Sequence, residues 1–314
     1  MNGLSKESVT FLEIDESGDA QRIDNFLFRH LKGVPKSHIY RMLRGEVRVN
    51  KKRVDQTYRL KLGDMLRIPP VRVARQDEVL EVYIPAVELP VIYEDDALLA
   101  VNKPAGIAVH GGSGVSFGVI EQMRNARPQA KFLELVHRLD RETSGVLLLA
   151  KKRSALTAMH EIMREGKSDK RYLALVLGQW NNARQHVRLP LYKYDTKEGE
   201  KRVMVKEGGQ ASHTIFTLQK SWPGYSLLEA ELKTGRTHQI RVHLSHLGFP
   251  IAGDDKYGDF ARNRELAKQG LKRMFLHAQS IAFNHPLTGE ELRIEAPLAS
   301  ELQCFIARLD AQGS

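Results

Sequence analysis

The chain has 314 residues, of which 42% are hydrophobic, and this length suffices for one large and one small domain. It contains no apolar run near the roughly 20 residues of a membrane-spanning helix, and its single cysteine, Cys304, excludes an internal disulfide and a cysteine-based zinc site. The first residues are polar and acidic, unlike a signal peptide, so we expect a soluble, cytoplasmic protein that does not bind membranes.

The formal net charge of +10 is concentrated in one segment. Between Arg22 and Arg75, 15 lysines and arginines stand against 4 acidic residues, which gives +11 and leaves −1 for the rest of the chain. A basic excess confined to one segment favours a module that binds a polyanion. Because no stretch has the broad apolar face of a helix that lies on a membrane, the predicted partner is nucleic acid.

Residues 1–19 are expected to form a flexible leader, and residues 20–86 a first domain. The spacing of apolar residues predicts one helix from Arg22 to Leu31 and a second over 37–44, and short alternating segments follow. This region resembles an S4 RNA-binding domain in four motifs: Arg22-Ile-Asp-Asn-Phe-Leu, Lys36-Ser-His-Ile-Tyr-Arg, Gly45-Glu-Val-Arg-Val-Asn-Lys-Lys and Leu62-Gly-Asp.

The resemblance to an S4 domain implies contacts between basic side chains and RNA phosphates. Such contacts provide salt-dependent affinity and orientation but little sequence information. The alternative is a charged, solvated face without a ligand. The residues concerned are Lys36, Arg41, Arg44, Arg48, Lys51, Lys52 and Arg53.

A linker and a second domain follow. Residues 69–90 contain four prolines and no sustained periodicity, which places the boundary near residue 86 and the second domain over 87–314. Hairpin-forming strands alternate there irregularly with helices, which predicts an α+β domain: a large, mainly antiparallel mixed sheet with flanking helices. The polar segment 181–210 is expected to form a hairpin with mobile loops.

Neither a nucleotide cofactor nor a metal ion is expected. The glycine-rich loop His110–Gly114 lacks both the Gly-Lys-Ser/Thr ending of a phosphate-binding loop and the glycine spacing of a dinucleotide fold. His243 and His246 are three residues apart on a predicted helix, but no acidic residue between Thr237 and Phe249 completes a ligand set.

The segment Leu135–Lys151 joins a polar turn to an apolar run that is typical of a buried strand. Asp140 lies in this turn, next to Arg141 and two residues after Arg138. From the residues alone, Asp140 caps the turn or neutralises these arginines, or it takes part in chemistry on a loop held by a rigid strand.

Five motifs in order are similar to those of the RluA family of pseudouridine synthases. The similarity covers residues 90–297 and, together with the S4-like module, is greatest to members that modify large-subunit (23S) ribosomal RNA. It implies that a uridine within RNA is isomerised without a cofactor. The motifs are Asn102-Lys-Pro-Ala-Gly106, His137-Arg-Leu-Asp-Arg-Glu-Thr-Ser-Gly145, Lys170-Arg-Tyr172, Gly235-Arg-Thr-His-Gln-Ile-Arg-Val-His243 and Phe275-Leu-His-Ala278.

The resemblance also implies roles for individual residues. Asp140 would be the essential residue, Arg241 its ion-pair partner, and Tyr172 a flat face and a hydroxyl beside the uracil. Arg138 would fill the stack that the flipped-out uridine leaves. Further RNA contacts are expected from His137, Arg236 and His238.

Two alternative functions remain, a non-catalytic RNA-binding or assembly factor and an RNA N-glycosylase. A monomer without a protein partner is expected.

Overall fold

The computed structural model describes residues 8–16, 18–31, 34–71, 85–111, 117–196 and 199–312. The chain divides into two compact units, Met1–Tyr83 and Ile84–Ser314. Residues 1–7 of the predicted leader, residues 72–84 of the predicted linker and most of the glycine-rich loop lie outside the described residues. No helix in the described ranges is long and apolar enough to cross a lipid bilayer.

The smaller unit combines two helices with a three-stranded antiparallel sheet, as far as its described residues show. Strand β3 lies between β1 and β2. Apolar residues three or four apart on each helix face the sheet, so Ile23, Leu27, Ile39 and Met42 share one core with Leu66. The elements are β1 (Thr10–Glu13), α1 (Ile23–His30), α2 (Lys36–Gly45), β2 (Arg48–Val49) and β3 (Met65–Ile68).

The prediction of a flexible leader over 1–19 was wrong for part of that segment. Thr10–Glu13 pairs with β3 along four residues, and the following Ile14 is 1% exposed in the core. Backbone hydrogen bonds to a neighbouring strand stabilise such an edge strand, and they depend on a partner more than fifty positions away in the sequence. Local hydropathy therefore does not indicate this strand.

The larger unit is built on a sheet of ten strands in its described residues. The strand order is β4-β5-β7-β14-β8-β13-β12-β9, with β6 paired to β7 and β15 to β14. The elements are β4 (Val91–Glu94), β5 (Leu98–Lys103), α3 (Val119–Ala126), β6 (Glu134–Leu135), β7 (Ser144–Ala150), α4 (Arg153–Arg164), β8 (Asp169–Leu177), β9 (Arg184–Val187), β10 (Leu191–Asp195), β11 (Lys201–Val205), β12 (Thr214–Trp222), β13 (Tyr225–Leu232), α5 (Gln239–His246), α6 (Phe260–Lys268), β14 (Leu276–Asn284), β15 (Glu291–Glu295) and α7 (Ser300–Gln312).

The direction of the strands agrees with the predicted mixed sheet. The pairing of β7 with β14 is parallel, whereas the other strand pairs of the described sheet are antiparallel. The helices flank the sheet as expected, and the α+β class predicted for this part of the chain is confirmed.

Strand β7 lies inside the sheet, between β5 and β14, and all seven of its residues are buried. Leu147 and Leu149 face one core, together with α3 and α5, whereas Val146 and Leu148 face a second core with α4. Successive side chains of a strand point to opposite faces, so an unbroken apolar run predicts a strand that is covered on both sides. This buried strand provides a rigid support for the polar turn that precedes it.

Gly145 allows β7 to lie directly against β14. Its φ of +110° favours glycine, and an added Cβ atom would lie 2.1 Å from the carbonyl oxygen of Ala278.

Strain and overpacking together should make Gly145→Ala less stable by about 3 kcal/mol, measured as the free energy of unfolding in urea. Gly289 also has a positive φ, +78°, but has open space around it. Gly289→Ala should therefore lose only about 1 kcal/mol, and equal losses in both variants would contradict this explanation.

Two regions differ from the sequence-based expectation in detail. The segment 181–210 contains β9 at the sheet edge and a separate hairpin of β10 and β11, with residues 197–198 outside the described residues. Helix α6 was not predicted, because only Leu266 is buried among its nine residues and no apolar period is present. Its start is stabilised by Asp259, whose carboxylate accepts hydrogen bonds from the backbone N–H groups of Ala261 and Arg262.

Candidate active site

A cavity of about 590 Å³ lies where the turn before β7 meets the start of α5. A second cavity of about 620 Å³ adjoins it and shares Arg138, Asp140, His238 and Arg241 with the first. Both volumes are in the range of sites for small ligands. The fold thus brings together Asp140, Arg241 and Tyr172, which come from three separate motifs of the sequence.

Asp140 and Arg241 form an ion pair beside this cavity. Arg241 Nη1 lies 3.3 Å from Asp140 Oδ2, and His238 Nε2 lies 3.8 Å from Asp140 Oδ1. The side chain of Asp140 is 21% exposed, whereas that of Arg241 is 5% exposed. The carboxylate is therefore accessible from the cavity, while its guanidinium partner is buried behind it.

A second carboxylate, Asp254, holds Arg241 in place. Arg241 Nε and Nη2 donate to the two oxygens of Asp254 at 2.8 and 2.7 Å, and Asp254 also accepts hydrogen bonds from the backbone N–H groups of Lys256 and Tyr257. Burial opposes the charge of Arg241, but Asp254 and then Asp140 outweigh it and raise the pKa of the guanidinium. The two-pronged contact fixes the guanidinium plane, so that Nη1 is left to face Asp140.

The sequence-based prediction did not include Asp254. The residue lies outside the five motifs, and its side chain is 1% exposed. A carboxylate two residues after the apolar pair Ile251–Ala252 was the available signal, because a buried acid requires a charged or hydrogen-bonding partner.

Tyr172 forms part of the cavity wall on β8. The residues directly opposite on the neighbouring strands are Ala230 and Ala278, which leave space beside the ring for a planar group. Burial, and to a lesser degree the charge of Asp140, raises the pKa of Tyr172. The Tyr172 hydroxyl therefore keeps its proton at neutral pH and is available as a hydrogen-bond donor to a group in the cavity.

Lys103 holds the turn that carries Asp140. The Lys103 side chain is completely buried, and Nζ donates to the carbonyl oxygens of Pro104, Ile107 and Arg141 at 2.7, 2.9 and 3.1 Å. Burial, followed by the charge of Arg273, lowers the pKa of Lys103 to about 7. The three carbonyl acceptors match the three N–H groups of an ammonium, so they favour the charged form. Lys103 thus ties the loop after β5 to the peptide that follows Asp140.

Comparison with known proteins identifies the family of this chain. The pattern of the RNA pseudouridylate synthase family matches residues 97–246, and that of the S4 domain matches residues 21–66. Ribosomal large subunit pseudouridine synthase C of Pasteurella multocida is 52% identical over 98% of this chain and 96% of its own length. The protein of the same name from Escherichia coli K12 is 53% identical over 96% of each chain. The chain belongs to the RNA pseudouridylate synthase family.

Solved structures of this family share the fold. The structure of human RNA pseudouridylate synthase domain containing 4 is 25% identical, covers 70% of this chain and 93% of its own, and has a TM-score of 0.59. A second human pseudouridylate synthase structure, domain containing 1, has a TM-score of 0.55 at 26% identity, and covers 71% of this chain and 95% of its own. The family and the S4 module predicted from the sequence motifs are thus confirmed.

The basic residues predicted to contact RNA in the S4 unit are mostly exposed. Arg48 differs, because it is half-buried and its Nη1 donates to the carbonyl oxygens of Gly45 and Val47 at 2.9 and 2.8 Å. Its guanidinium therefore holds the end of α2. The exposed residues are Lys36, Arg41, Arg44, Lys51, Lys52 and Arg53.

In this pseudouridylate synthase, the remaining predicted RNA contacts have different surroundings. Arg138 is exposed and borders both cavities, and its side chain has no hydrogen-bond or ion-pair partner in the described part of the chain. Arg236 is also exposed, and its Nε donates to the carbonyl oxygen of Ala211 at 3.1 Å. His238 immediately precedes α5, and its Nε2 faces Asp140.

His137 has a geometry that fits a structural role better than a phosphate contact. Its Nε2 accepts a hydrogen bond from the backbone N–H of Leu148 at 3.1 Å. Burial, and then the charge of Lys170, lowers the pKa of His137 to about 4. A neutral ring does not attract a phosphate electrostatically, so this side chain instead joins the Asp140 turn to β7.

Proposed function

We propose that this chain converts uridines of large-subunit ribosomal RNA into pseudouridines, with Asp140 as the catalytic carboxylate. The observation that carries the proposal is the pair of Asp140 and Arg241 at the cavity beside Tyr172. Relatives that are 52–53% identical along nearly the whole chain and are named as large-subunit pseudouridine synthases support the substrate.

The reaction breaks the N1–C1′ bond, rotates the uracil and forms a C5–C1′ bond, while a proton leaves C5 and N1 gains one. A carboxylate suits this chemistry because it forms and releases a covalent bond with a sugar or base carbon. Attack at C1′, attack at C6 and assisted elimination all use the carboxylate of Asp140, which the Arg241 guanidinium contacts at 3.3 Å. The protonated hydroxyl of Tyr172 is the proposed group for proton transfer at the base.

The target uridine has to leave the RNA stack before it reaches Asp140. Flipping costs a few kcal/mol, which contacts in the pocket and in the vacated stack must offset. Arg138 is exposed beside the cavity and without a partner among the described residues, so its planar guanidinium is available to stack on bases. We therefore propose that the Arg138 guanidinium fills the position in the RNA stack that the flipped uridine leaves.

The S4 unit is the proposed anchor on ribosomal RNA. Its exposed basic side chains supply the charge for phosphate contacts. Because the substrate is ribosomal RNA, we propose that the protein acts in the cytoplasm.

Nucleoside analysis tests the proposed reaction. Large-subunit ribosomal RNA transcribed in vitro with labelled uridine is incubated with the protein and digested to nucleosides. We expect labelled pseudouridine. Free uracil would identify an RNA N-glycosylase instead, and unchanged uridine in RNA that the protein binds would identify a non-catalytic RNA-binding factor.

The salt dependence of RNA binding tests the S4 anchor. Replacing Lys51, Lys52 and Arg53 together with glutamine should weaken binding and reduce the slope of log K against log salt by roughly 2–3, as expected for three lost phosphate contacts. A matched control replaces the exposed Arg264, Lys268 and Lys272 with glutamine, which removes the same charge from the larger unit. If both variants change the slope equally, the effect is one of total charge and the S4 anchor is refuted.

A further inference from the structure

Tyr257 connects the active site to the hairpin of β10 and β11. It ends a turn that begins at Asp254, whose Oδ1 accepts a hydrogen bond from the Tyr257 backbone N–H at 3.0 Å. The Tyr257 hydroxyl lies 2.9 Å from the backbone nitrogen of Val203 and 2.8 Å from His238 Nδ1. The Arg241 guanidinium lies over the same ring, 5.2 Å from its centroid. One side chain thus contacts the hairpin and also His238 and Arg241, the two residues that face Asp140.

The direction of each hydrogen bond at Tyr257 follows from its partners. The Val203 backbone N–H can only donate, so the phenol oxygen accepts this bond. Burial raises the pKa of Tyr257 to about 12, so the phenol keeps its own proton at neutral pH. In the described residues, the Tyr257 hydroxyl has no acceptor within hydrogen-bonding distance other than His238 Nδ1. The phenol proton therefore points at His238 Nδ1, which must be the unprotonated ring nitrogen.

His238 is a neutral side chain whose tautomer matters for the site. Burial lowers its pKa, the charges of Arg241 and Lys256 lower it further, and those of Asp140 and Asp254 act in the opposite direction. If Nδ1 accepts a hydrogen bond, the ring proton of the neutral form is on Nε2. Nε2 lies 3.8 Å from Asp140 Oδ1, and the ring borders both cavities.

The backbone of His238 is also unusual. Its φ of 54° and ψ of 21° place it in the left-handed region, immediately before α5. Such a conformation costs energy in a residue other than glycine and persists where its surroundings hold it. The bond to Tyr257 is one such restraint, because it connects the ring to a turn fixed by Asp254.

We propose that Tyr257 is a positioning residue that holds neutral His238 as its Nε2–H tautomer and thereby directs one N–H group at Asp140 and at an acceptor oxygen of the bound nucleotide. The catalytic part of this inference rests on the proposed function, whereas the tautomer does not. At 3.8 Å the approach to Asp140 is longer than a hydrogen bond, and such contacts commonly tighten when substrate binds. The other tautomer would present a lone pair to the carboxylate and repel it.

The same contacts link the hairpin to the catalytic carboxylate. Val203 lies on β11 and is buried with Leu191 of β10 and Val242 of α5. When the hairpin is docked, the Val203 backbone N–H donates to a lone pair of the Tyr257 oxygen. The phenol proton then points away from the hairpin, toward His238. A well-placed hairpin and the correct tautomer of His238 are therefore formed together.

Nuclear magnetic resonance of the full-length protein with ¹⁵N-labelled histidine rings tests the tautomer directly. The chain has 12 histidines, and the signals that disappear in a His238→Gln protein identify those of His238. At neutral pH we expect a non-protonated Nδ1 and a protonated Nε2. In Tyr257→Phe, which removes only the hydroxyl, the two tautomers should mix. A proton on Nδ1 in the unaltered protein, or unchanged His238 signals in Tyr257→Phe, would overturn the proposal.

Turnover provides the second measurement. Tyr257→Phe should lower kcat about tenfold, the rate equivalent of one hydrogen bond, while KM for the ribosomal RNA substrate stays unchanged. The matched control is Tyr225→Phe, a buried tyrosine that packs edge-on against Phe305 away from the cavity and should keep full activity. Equal kcat values for the two variants would overturn the positioning role. If the unaltered protein forms no pseudouridine, the proposed function fails, while the ring-nitrogen signals still decide the tautomer.

Discussion

Asp140→Asn should abolish pseudouridine formation while the affinity for ribosomal RNA stays nearly the same. The amide has almost the size of the carboxylate but no negative charge and little nucleophilicity, so we expect turnover to fall by at least about 10⁴-fold, as for the loss of other essential nucleophiles. Labelled nucleosides from treated RNA measure the loss of activity, and filter binding measures the affinity.

The reason for unchanged binding lies in where the positive charge is placed. Asp140 is an anion, and the groups proposed to contact phosphates are the basic side chains of the S4 unit. Removing an anion near the RNA should strengthen binding slightly, if it has any effect. Asp96→Asn serves as the control, because it makes the same chemical change in an exposed turn between β4 and β5. Residual turnover of Asp140→Asn comparable to that of Asp96→Asn would refute the catalytic role.

Arg241→Met should both inactivate and destabilise the protein. The change leaves the carboxylate of Asp254, 1% exposed, without its charged partner. Removing one member of a buried pair costs about 3–5 kcal/mol, because the other charge remains buried and unpaired. That is a large share of the roughly 5–15 kcal/mol that stabilises a typical domain. Urea denaturation measures the free energy of unfolding, and the nucleoside assay measures activity.

A double variant separates the two effects of Arg241. In Arg241→Met/Asp254→Asn no unpaired charge is buried, so much of the lost stability should return. Activity should not return, because Asp140 still lacks the guanidinium that lies 3.3 Å from its carboxylate. Recovery of activity together with stability would show that Arg241 acts only through the fold.

The pH dependence of stability gives an independent check on Arg241. Burial acts to raise the pKa of Asp254, but the hydrogen bonds and the charge of Arg241 outweigh it, so the pKa is lowered in the folded protein. A lowered pKa stabilises the fold at neutral pH, and this contribution is lost as the pH falls through the folded-state value. In Arg241→Met, protonation of Asp254 at low pH should instead remove the unpaired buried charge and restore part of the lost stability. The stability difference between the unaltered protein and Arg241→Met should therefore shrink as the pH falls from 7 toward the acid range.

Much of the fold was predictable because its signals are local. The unbroken apolar run of β7 predicts a strand covered on both faces, and two buried cores contain its alternate side chains. Helix α4 has its buried residues Ala155, Leu156 and Met159 on one face, and this spacing is typical of a helix. Helix α6 and strand β1 lack such a pattern. A capping carboxylate and the backbone of a distant strand stabilise them instead.

The sequence by itself determined the family, the S4 module and the candidates Asp140, Tyr172 and Arg241, because these residues lie in contiguous motifs that a chain shows before it folds. Only the tertiary structure decided that Asp254 orients Arg241, that Lys103 holds the Asp140 turn and that Tyr257 faces His238. Each of these contacts depends on where a side chain points after distant segments have packed together. Such directions follow from three-dimensional packing, and no local pattern of hydropathy or charge contains them.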